Sequence, residues 1–466
     1  MPKNVFAGVG FSENNNPFEA GNEVILTAIE DMKKKGGKEP IFGIVFCSGG
    51  KYGKNDKTIK SFVDGVQSVF SEFKNCKWIG CTTSGEISKE NVTHGSAVAT
   101  VLSSEYMKFG VGIGKNISKN GFSAGKKAVE KALNDIKMDK EIDAYISYLT
   151  TKTKKAYELA KLKQFVVLTL QAGFTLKQSG WEENVLDGIK SVLGEIPIVG
   201  GSAGDDGKFI ETYQFANGQL YKDSVVLSVI FSHLKIGFGL SHGYKPTKKI
   251  ALITKSKDRI IYELNNRPSV EVYAEMLGIS IDELLKGSTL LEFGQKFPRF
   301  AMDFIEKIGI TKEKFLENID MYKFMISSPF GIPDISGDYW AKVPKKIIEK
   351  KYIEFYNKIP EKMPITLMKI DKKKTIEATR DALKQSIKNI KNPVLSIIFE
   401  CGGRYFYLGK NVTKTINIAK KMLKNSSLIG FYTHGEQGLR ENSVSGCHTY
   451  SVTVLTIGDD LIAKNK

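Results

Sequence analysis

The stretch LSIIFECGGRYFYLGKNVTKTINIAKKMLKNSSLIGFYTHGE, residues 395–436, decides the fold. It reads as an apolar strand, a loop at 400–405, a helix-period middle and a second apolar strand closed by a small-residue turn. The same order stands near the N-terminus. There FCSGGKY at 46–52 matches FECGGRY at 399–405, and IGCTTSGE at 79–86 matches IGFYTHGE at 429–436. Two loops matching in order and at near-equal spacing mark an internal repeat. Both stretches are therefore expected to form one kind of strand–helix–strand unit. The helix is plainest in the first, where Ile59, Phe62, Val63, Val66, Val69, Phe70 and Phe73 make one apolar stripe.

A weaker third occurrence lies between them. Phe165 to Leu170 is an apolar run followed by Gln171, Ala172, Gly173 and Phe174. Trp181, Val185, Leu186, Ile189, Val192 and Leu193 recur at helical spacing, and the stretch closes on Ile198 to Asp205 with GGSAGDD at 200–206. Downstream strands accompany these units: MKFGVGIGKN at 107–116 and LKIGFGLSHG at 234–243. Alternating glycines in such strands imply close approach of another backbone, or strong bending. The fold class expected is mixed α/β (α+β): two related halves of repeated strand–helix–strand units with glycine-rich loops and added β-hairpins.

A chain of 466 residues exceeds one ordinary core, so two domains are expected, 1–240 and 241–466. The texture changes after His242. Pro268 opens a helix carrying Val272, Tyr273, Met276 and Leu277, stopped by Gly278, and Ile376 to Ile390 is a helix leading into the final unit. Residues 288–360 are aromatic and lysine-rich with weak periodicity, and read as an insertion.

Composition narrows the function classes. The net charge of +17 invites a nucleic-acid reading, but arginine occurs only at Arg259, Arg267, Arg299, Arg380, Arg404 and Arg440, and lysine is dispersed along the chain. Nucleic-acid readers favour arginine and cluster their charge, so no nucleic-acid partner is expected. The apolar runs fall short of the ~20 residues that span a bilayer, and Met1 to Phe6 has no secretory pattern. No membrane association is expected. The five cysteines, Cys47, Cys76, Cys81, Cys401 and Cys447, lack CxxC spacing. That pattern points away from a disulfide framework and toward a reducing cytoplasm.

The loops carry the chemistry. A loop between an apolar strand and a helix exposes backbone N–H groups suited to an anion. Cys401, Gly402, Gly403 and Arg404 add a guanidinium able to grip a carboxylate with two donors. Glu436, after His434 and Gly435 in the adjacent turn, can accept from an ammonium group. A cation and an anion on one pocket describe an amino-acid site, with Cys401, His434 and His448 as further candidates. The alternative is that the glycines only turn the chain and Arg404 pairs with Glu436. Lys51 and Glu86 are the corresponding pair in the first unit, read as scaffold. The 200–206 loop adds Gly201, Ser202 and Asp205, but it lacks the GxxxxGK[ST] pattern of a phosphate loop and reads mainly as strand–loop packing.

Two enzymatic readings stand beside the binding one. Cys401 with His434 or His448 could be nucleophile and base, giving a cysteine-dependent hydrolase or transferase acting on a small acyl or amino compound. Cys401, His434, Cys447 and His448 could bind zinc. Adjacency of Cys447 and His448 opposes both, because strand neighbours point to opposite faces.

Taken together, the 79–86 turn, IPIVGGSAGDDGKFIETYQFANGQLYKDSVVLSVI at 196–230, YELNNRPSVEVYAEMLG at 262–278, Cys401 with Arg404, and Gly430 to Gly438 resemble the FIST family of sensory domains. The resemblance covers nearly the whole chain, with an N-terminal and a C-terminal FIST half. It implies an intracellular sensor of a small molecule, amino acids or related metabolites, in signal transduction. It implies no catalysis and no cofactor. No kinase, cyclase or methyl-accepting segment is read in the sequence, so the expected partners are the ligand and a signalling protein.

Overall fold

The computed structural model describes residues 3–136, 164–175, 180–286, 327–334, 337–441 and 443–462. Two compact units emerge. The first comprises residues 1–241, 379–446 and 452–466, and the second comprises 242–378 with 447–451.

The first unit contains three segments of like order. The first runs β1 (Val5–Ser12), α1 (Pro17–Lys34), β2 (Phe42–Ser48), α2 (Asp56–Phe70), β3 (Lys77–Thr83), the short pair β4 (Glu86–Ser88) and β5 (Val92–Thr93), and β6 (Ala97–Ser104). The second runs β7 (Met107–Lys115), α3 (Ile117–Ile136), β8 (Gln164–Gln171), α4 (Glu182–Leu193), β9 (Ile198–Ser202), β10 (Gln214–Ala216), β11 (Gln219–Tyr221) and β12 (Ser224–Ser232). The third opens with β13 (Leu234–His242), and the chain then passes into the second unit.

The second unit is an antiparallel sheet. Its strands follow the order β18 (Tyr339–Lys342), β17 (Phe330–Pro333), β21 (Pro364–Ile370), β14 (Tyr244–Lys257), β15 (Ile260–Leu264), β20 (Tyr352–Phe355) and β19 (Pro344–Ile348), with β16 (Arg267–Pro268) beside β15. Helices α5 (Ser269–Leu277) and α6 (Ile281–Lys286) belong to it. Gly278 ends α5 in the left-handed conformation, as a helix-stopping glycine does. The expected insertion at 288–360 differs from what is seen over 330–355, where β17 to β20 pair with β21 and β15 inside this sheet. Residues 288–326 of that expectation lie outside the described residues.

The third segment resumes with α7 (Lys372–Ile387), β22 (Pro393–Cys401), α8 (Gly402–Leu408), α9 (Val412–Met422), β23 (Ser427–Thr433), β24 (Glu436–Gly438), β25 (Gly446–His448) and β26 (Ser451–Leu461). The loop expected at 400–405 is instead the end of β22 and the first turn of α8. Keeping Glu400 on the strand sets it four residues before Arg404, within reach of an ion pair. The two expected halves, split at residue 240, also differ from the observed units: residues 379–446 pack with 1–241 because β22 and β23 pair with β26, β4 and each other.

Each segment contributes one sheet with a parallel central pair. β2 pairs with β3 (Ser48 opposite Thr83), β8 with β9, and β22 with β23 (Cys401 opposite Thr433). The last long strand flanks this pair antiparallel: β6 on β2, β12 on β8, β26 on β22. The short strands are exchanged in a cycle. β10 of the second segment pairs with β3, β4 of the first with β23, and β24 of the third with β9.

The inner faces of the three sheets meet in one core. Phe46 packs tilted against Phe431, ring centroids 4.6 Å apart, and stands edge-on to Phe399 at 6.3 Å, among Ile44, Leu168, Val199, Ile397 and Ile429. Helices cover the outer faces. The alternating glycines mark where helix backbone sits on strand backbone: a Cβ on Gly110, Gly112 or Gly114 would collide with the carbonyls of Ala132, Ala128 or Ala124. Gly237 and Gly239 meet Ser386 and Ala382 in the same way, and Gly8 and Gly10 of β1 meet Ala28 and Val24. Close approach, rather than bending alone, accounts for these residues.

Candidate functional site

Parallel strand pairs end in loops at their carboxyl edges, where open α/β sheets place ligands. The three segments bring three such loops and three turns together within the first unit. The backbone registers them. Ser84 N–H donates to Tyr432 O, Gly204 N–H to Thr82 O, and His434 N–H to Ser202 O. By this pattern Ser84, Gly204 and His434 occupy like positions in successive turns, and Glu86, Asp206 and Glu436 follow two residues later.

At the centre, Ser84 Oγ lies 3.0 Å from His434 Nε2, and Asp205 Oδ1 is 3.8 Å from the same nitrogen. Gly204 is required here, because a Cβ would press on Ser84 Oγ and its backbone. Phe174 and Phe209 stack on each other at 5.1 Å and flank the His434 ring at 5.2 and 4.6 Å. Burial pushes the imidazole below its ordinary value, opposed by the charge of Asp205, so the ring is neutral at neutral pH. The Asp205 carboxylate accepts from the N–H groups of Phe209, Ile210 and Glu211, and so shapes the following loop. Because serine and aspartate face one ring nitrogen, the arrangement lacks the two-sided relay of a Ser-His-Asp triad.

The three acids differ in their partners. Asp206 reaches into the first glycine loop, where Oδ2 accepts from Ser48 Oγ and from Gly50 N–H, both at 2.6 Å. Its Oδ1 faces His94 Nδ1 at 3.5 Å, and His94 stands edge-on to Tyr405 at 4.7 Å. Glu86 is buried and turns back into its own segment, accepting from Thr83 Oγ1 and from the N–H and Oγ of Ser96. Burial first, and the nearby Asp206 charge second, push its carboxyl up to about 8. Burial works to raise Asp206 as well, but hydrogen bonds from His94, Ser48 and Gly50 outweigh it and hold this carboxyl below the ordinary range. Glu436 Oε1 accepts from Thr433 Oγ1 at 2.6 Å.

Arg404, set opposite Glu436 in the sequence reading, is wholly buried, and its Nε and NH2 each lie 2.9 Å from Glu400 Oε1. NH2 also donates to Thr379 at 3.3 Å. Cys401 and Gly402 are buried at the loop while Gly403 is half-buried; a Cβ on Gly402 would meet only Thr433 O, at 3.3 Å. Gly201 packs on Thr433, Phe399 and Phe431, and Ser202 Oγ accepts from Gln437 at 3.0 Å. Gly435 has φ of 158° and is half-buried. His448 belongs to the second unit, edge-on to Trp340 at 5.4 Å. The first unit thus gathers Cys401, Gly402, Gly403, Arg404, His434, Gly435, Glu436, Gly201, Ser202 and Asp205 onto the carboxyl-edge loops, turns and adjoining strand ends of its segments.

Sequence reasoning missed Ser48, Ser84, His94, Asp206 and Tyr405. Aligning GGSAGDD with IGCTTSGE and IGFYTHGE on the final acid would have placed Asp206 beside Glu86 and Glu436. Nothing local marks His94. Among the described residues, no group of three or more His, Cys, Asp or Glu side chains is arranged to hold a metal ion. No described helix is long and apolar enough to cross a membrane.

Comparison with known proteins places this geometry in context. Residues 41–267 match the family model of the FIST N domain and residues 269–439 that of the FIST C domain. An uncharacterized protein of Methanocaldococcus jannaschii is 27% identical over 394 residues, covering 84% of this chain. The chain spans 64% of that relative's length. A solved structure, a cyanuric acid hydrolase from A. caulinodans, aligns over 97% of this chain and 99% of its own at 9% identity and a TM-score of 0.33, a likeness that carries no argument about activity.

Proposed function

The chain belongs to the FIST family, whose domains are taken as small-ligand sensors, and from that premise we propose that the strand-to-helix corner Cys401 to Arg404, which stands where the first segment has its glycine loop and is here named the third loop, receives with the turns around it the carboxylate of an amino acid or related metabolite. The three like-ordered segments are, in this reading, repeats of one unit, so one loop informs the others. The observation that carries the proposal is Asp206: its carboxylate, in the first loop, shows how a loop of this kind holds such a group, by one backbone N–H and one side-chain donor. Glu86 is the acid that would fill the third loop in the same cycle, but its two oxygens go to Thr83 and Ser96. Glu86 therefore does not play at the third loop the part that Asp206 plays at the first.

In this reading Arg404 supports the loop from beneath through Glu400, and Glu436 with His434 completes the surroundings. The protein acts as a non-catalytic cytoplasmic sensor and passes ligand occupancy to a signalling protein. The test is a thermal-shift screen of amino acids and short carboxylic acids, followed by calorimetry on the best ligand. Gly402→Ala adds a methyl to the loop 3.3 Å from the Thr433 carbonyl, a tight contact, and should weaken binding about tenfold, or 1.4 kcal/mol. No binding across the screen, or equal affinity in wild type and a folded Gly402→Ala, would remove the third loop as the site.

A further inference from the structure

The first loop is built for a carboxylate and already contains one. We propose that Ser48 to Lys51 is a second carboxylate-binding site, held shut by the side chain of Asp206, and that it takes small free carboxylates such as formate or acetate once that side chain is withdrawn. This stands apart from the proposal for the third loop and does not depend on it.

The donors are set before any ligand arrives. Ser48 is wholly buried, and its Oγ accepts from Lys51 N–H at 3.0 Å, which leaves its own hydrogen for the carboxylate. Asp206 Oδ2 sits 2.6 Å from both Ser48 Oγ and Gly50 N, distances typical of hydrogen bonds to an ionised acceptor. The loop is shaped to the incoming turn: a Cβ on Gly50 would lie 2.5 Å from Asp206 Oδ2, and one on Gly49 would overlap Asp205 and Gly204. The occupant arrives from another segment, 156 residues away from Gly50 in sequence. Its backbone stands at φ 56°, a left-handed conformation that glycine adopts more readily than aspartate. Asp206 N–H is separately anchored to Thr83 O. The position can therefore lose its side chain while the turn keeps its path. His94, with 42% of its side chain exposed, lies over the second carboxylate oxygen, so the cradle borders solvent.

Asp206→Gly tests this, since it removes the carboxylate and relieves the backbone. Tm is measured in sodium formate and in sodium chloride at equal ionic strength. Formate at about five times its dissociation constant should raise the Tm of the variant by about 1–2 °C over chloride. Wild type, with its cradle filled, should respond equally to both salts, and Asp206→Gly/Ser48→Ala should lose the formate response. If Asp206→Gly does not fold unaided, the yield of refolded protein in formate against chloride replaces the melting curve, and a higher yield in formate is expected. Equal behaviour in the two salts, or a formate response that survives Ser48→Ala, would overturn the proposal.

Discussion

Replacing Glu86 by glutamine should change how stability depends on pH. The Glu86 carboxyl is held at about 8, against an ordinary 4.5, by its burial and by the Asp206 charge. The folded protein therefore keeps a proton that the unfolded chain releases near pH 4.5. Stability from this group is complete below pH 4.5 and is lost as pH rises through 8. At about 1.4 kcal/mol per pH unit, the interval corresponds to about 4–5 kcal/mol at full ionisation. Glutamine imitates the protonated acid, and its amide can still serve Thr83 and Ser96. Urea unfolding of both proteins from pH 5 to 9 isolates the effect, because other titrating groups cancel in the difference. The two should be nearly equal at pH 5, and Glu86→Gln should be the more stable by about 3–5 kcal/mol at pH 9. A difference that is flat across this range, or that favours wild type as pH rises, would refute a buried protonated Glu86.

Three further outcomes are expected. Arg404→Met strands the Glu400 carboxylate in the interior and should cost about 3–5 kcal/mol in urea unfolding, with part of the loss recovered in Arg404→Met/Glu400→Gln. Gly112→Ala drives a methyl into the Ala128 carbonyl and should cost about 1–3 kcal/mol or more by the same assay. The lowered His434 titration means that stability falls as pH drops below the unfolded value of 6.5. The advantage of wild type over His434→Gln should therefore shrink from pH 7.5 to pH 5, as read from urea midpoints.

The strand, helix and turn order of residues 42–83 and 395–433 was legible because the apolar periods and both loops coincide. The glycine strands at 107–115 and 234–242 were legible for a similar reason, since alternation of glycine has few causes. The partner helices were not, because the carbonyls of Ala128 or Ser386 leave no mark in a one-dimensional pattern. Gly8 and Gly10 carry the same signal in a shorter run and passed unread. At the site, residue types were easier to read than partners. Arg404 stood out by its rarity, yet its contact is set by where β22 ends, which turns the chain so that Glu400 on the strand meets Arg404 in the first turn of α8. Ser84 and His434 are 350 residues apart, and only the cyclic strand exchange brings them together. The excursion between β13 and α7 hid the third segment's opening, since 129 residues lie between His242 and Lys372.

The cyclic exchange of short strands also governs how this chain can acquire its structure. No sheet of the first unit is completed by its own segment: β3 waits for β10, β9 for β24, and β4 for β23. A nascent chain released up to β6 has already made β4, but the edge that strand pairs with is translated more than 300 residues later. Assembly is therefore a late, concerted event with a large loop-closure cost, and intermediates carry unpaired edges that invite association. Two fragments cut between β6 and β7, which lie in different sheets, would each lack a strand the other holds. Mixed together, they should find one another and fold as a pair, where either alone would remain incomplete.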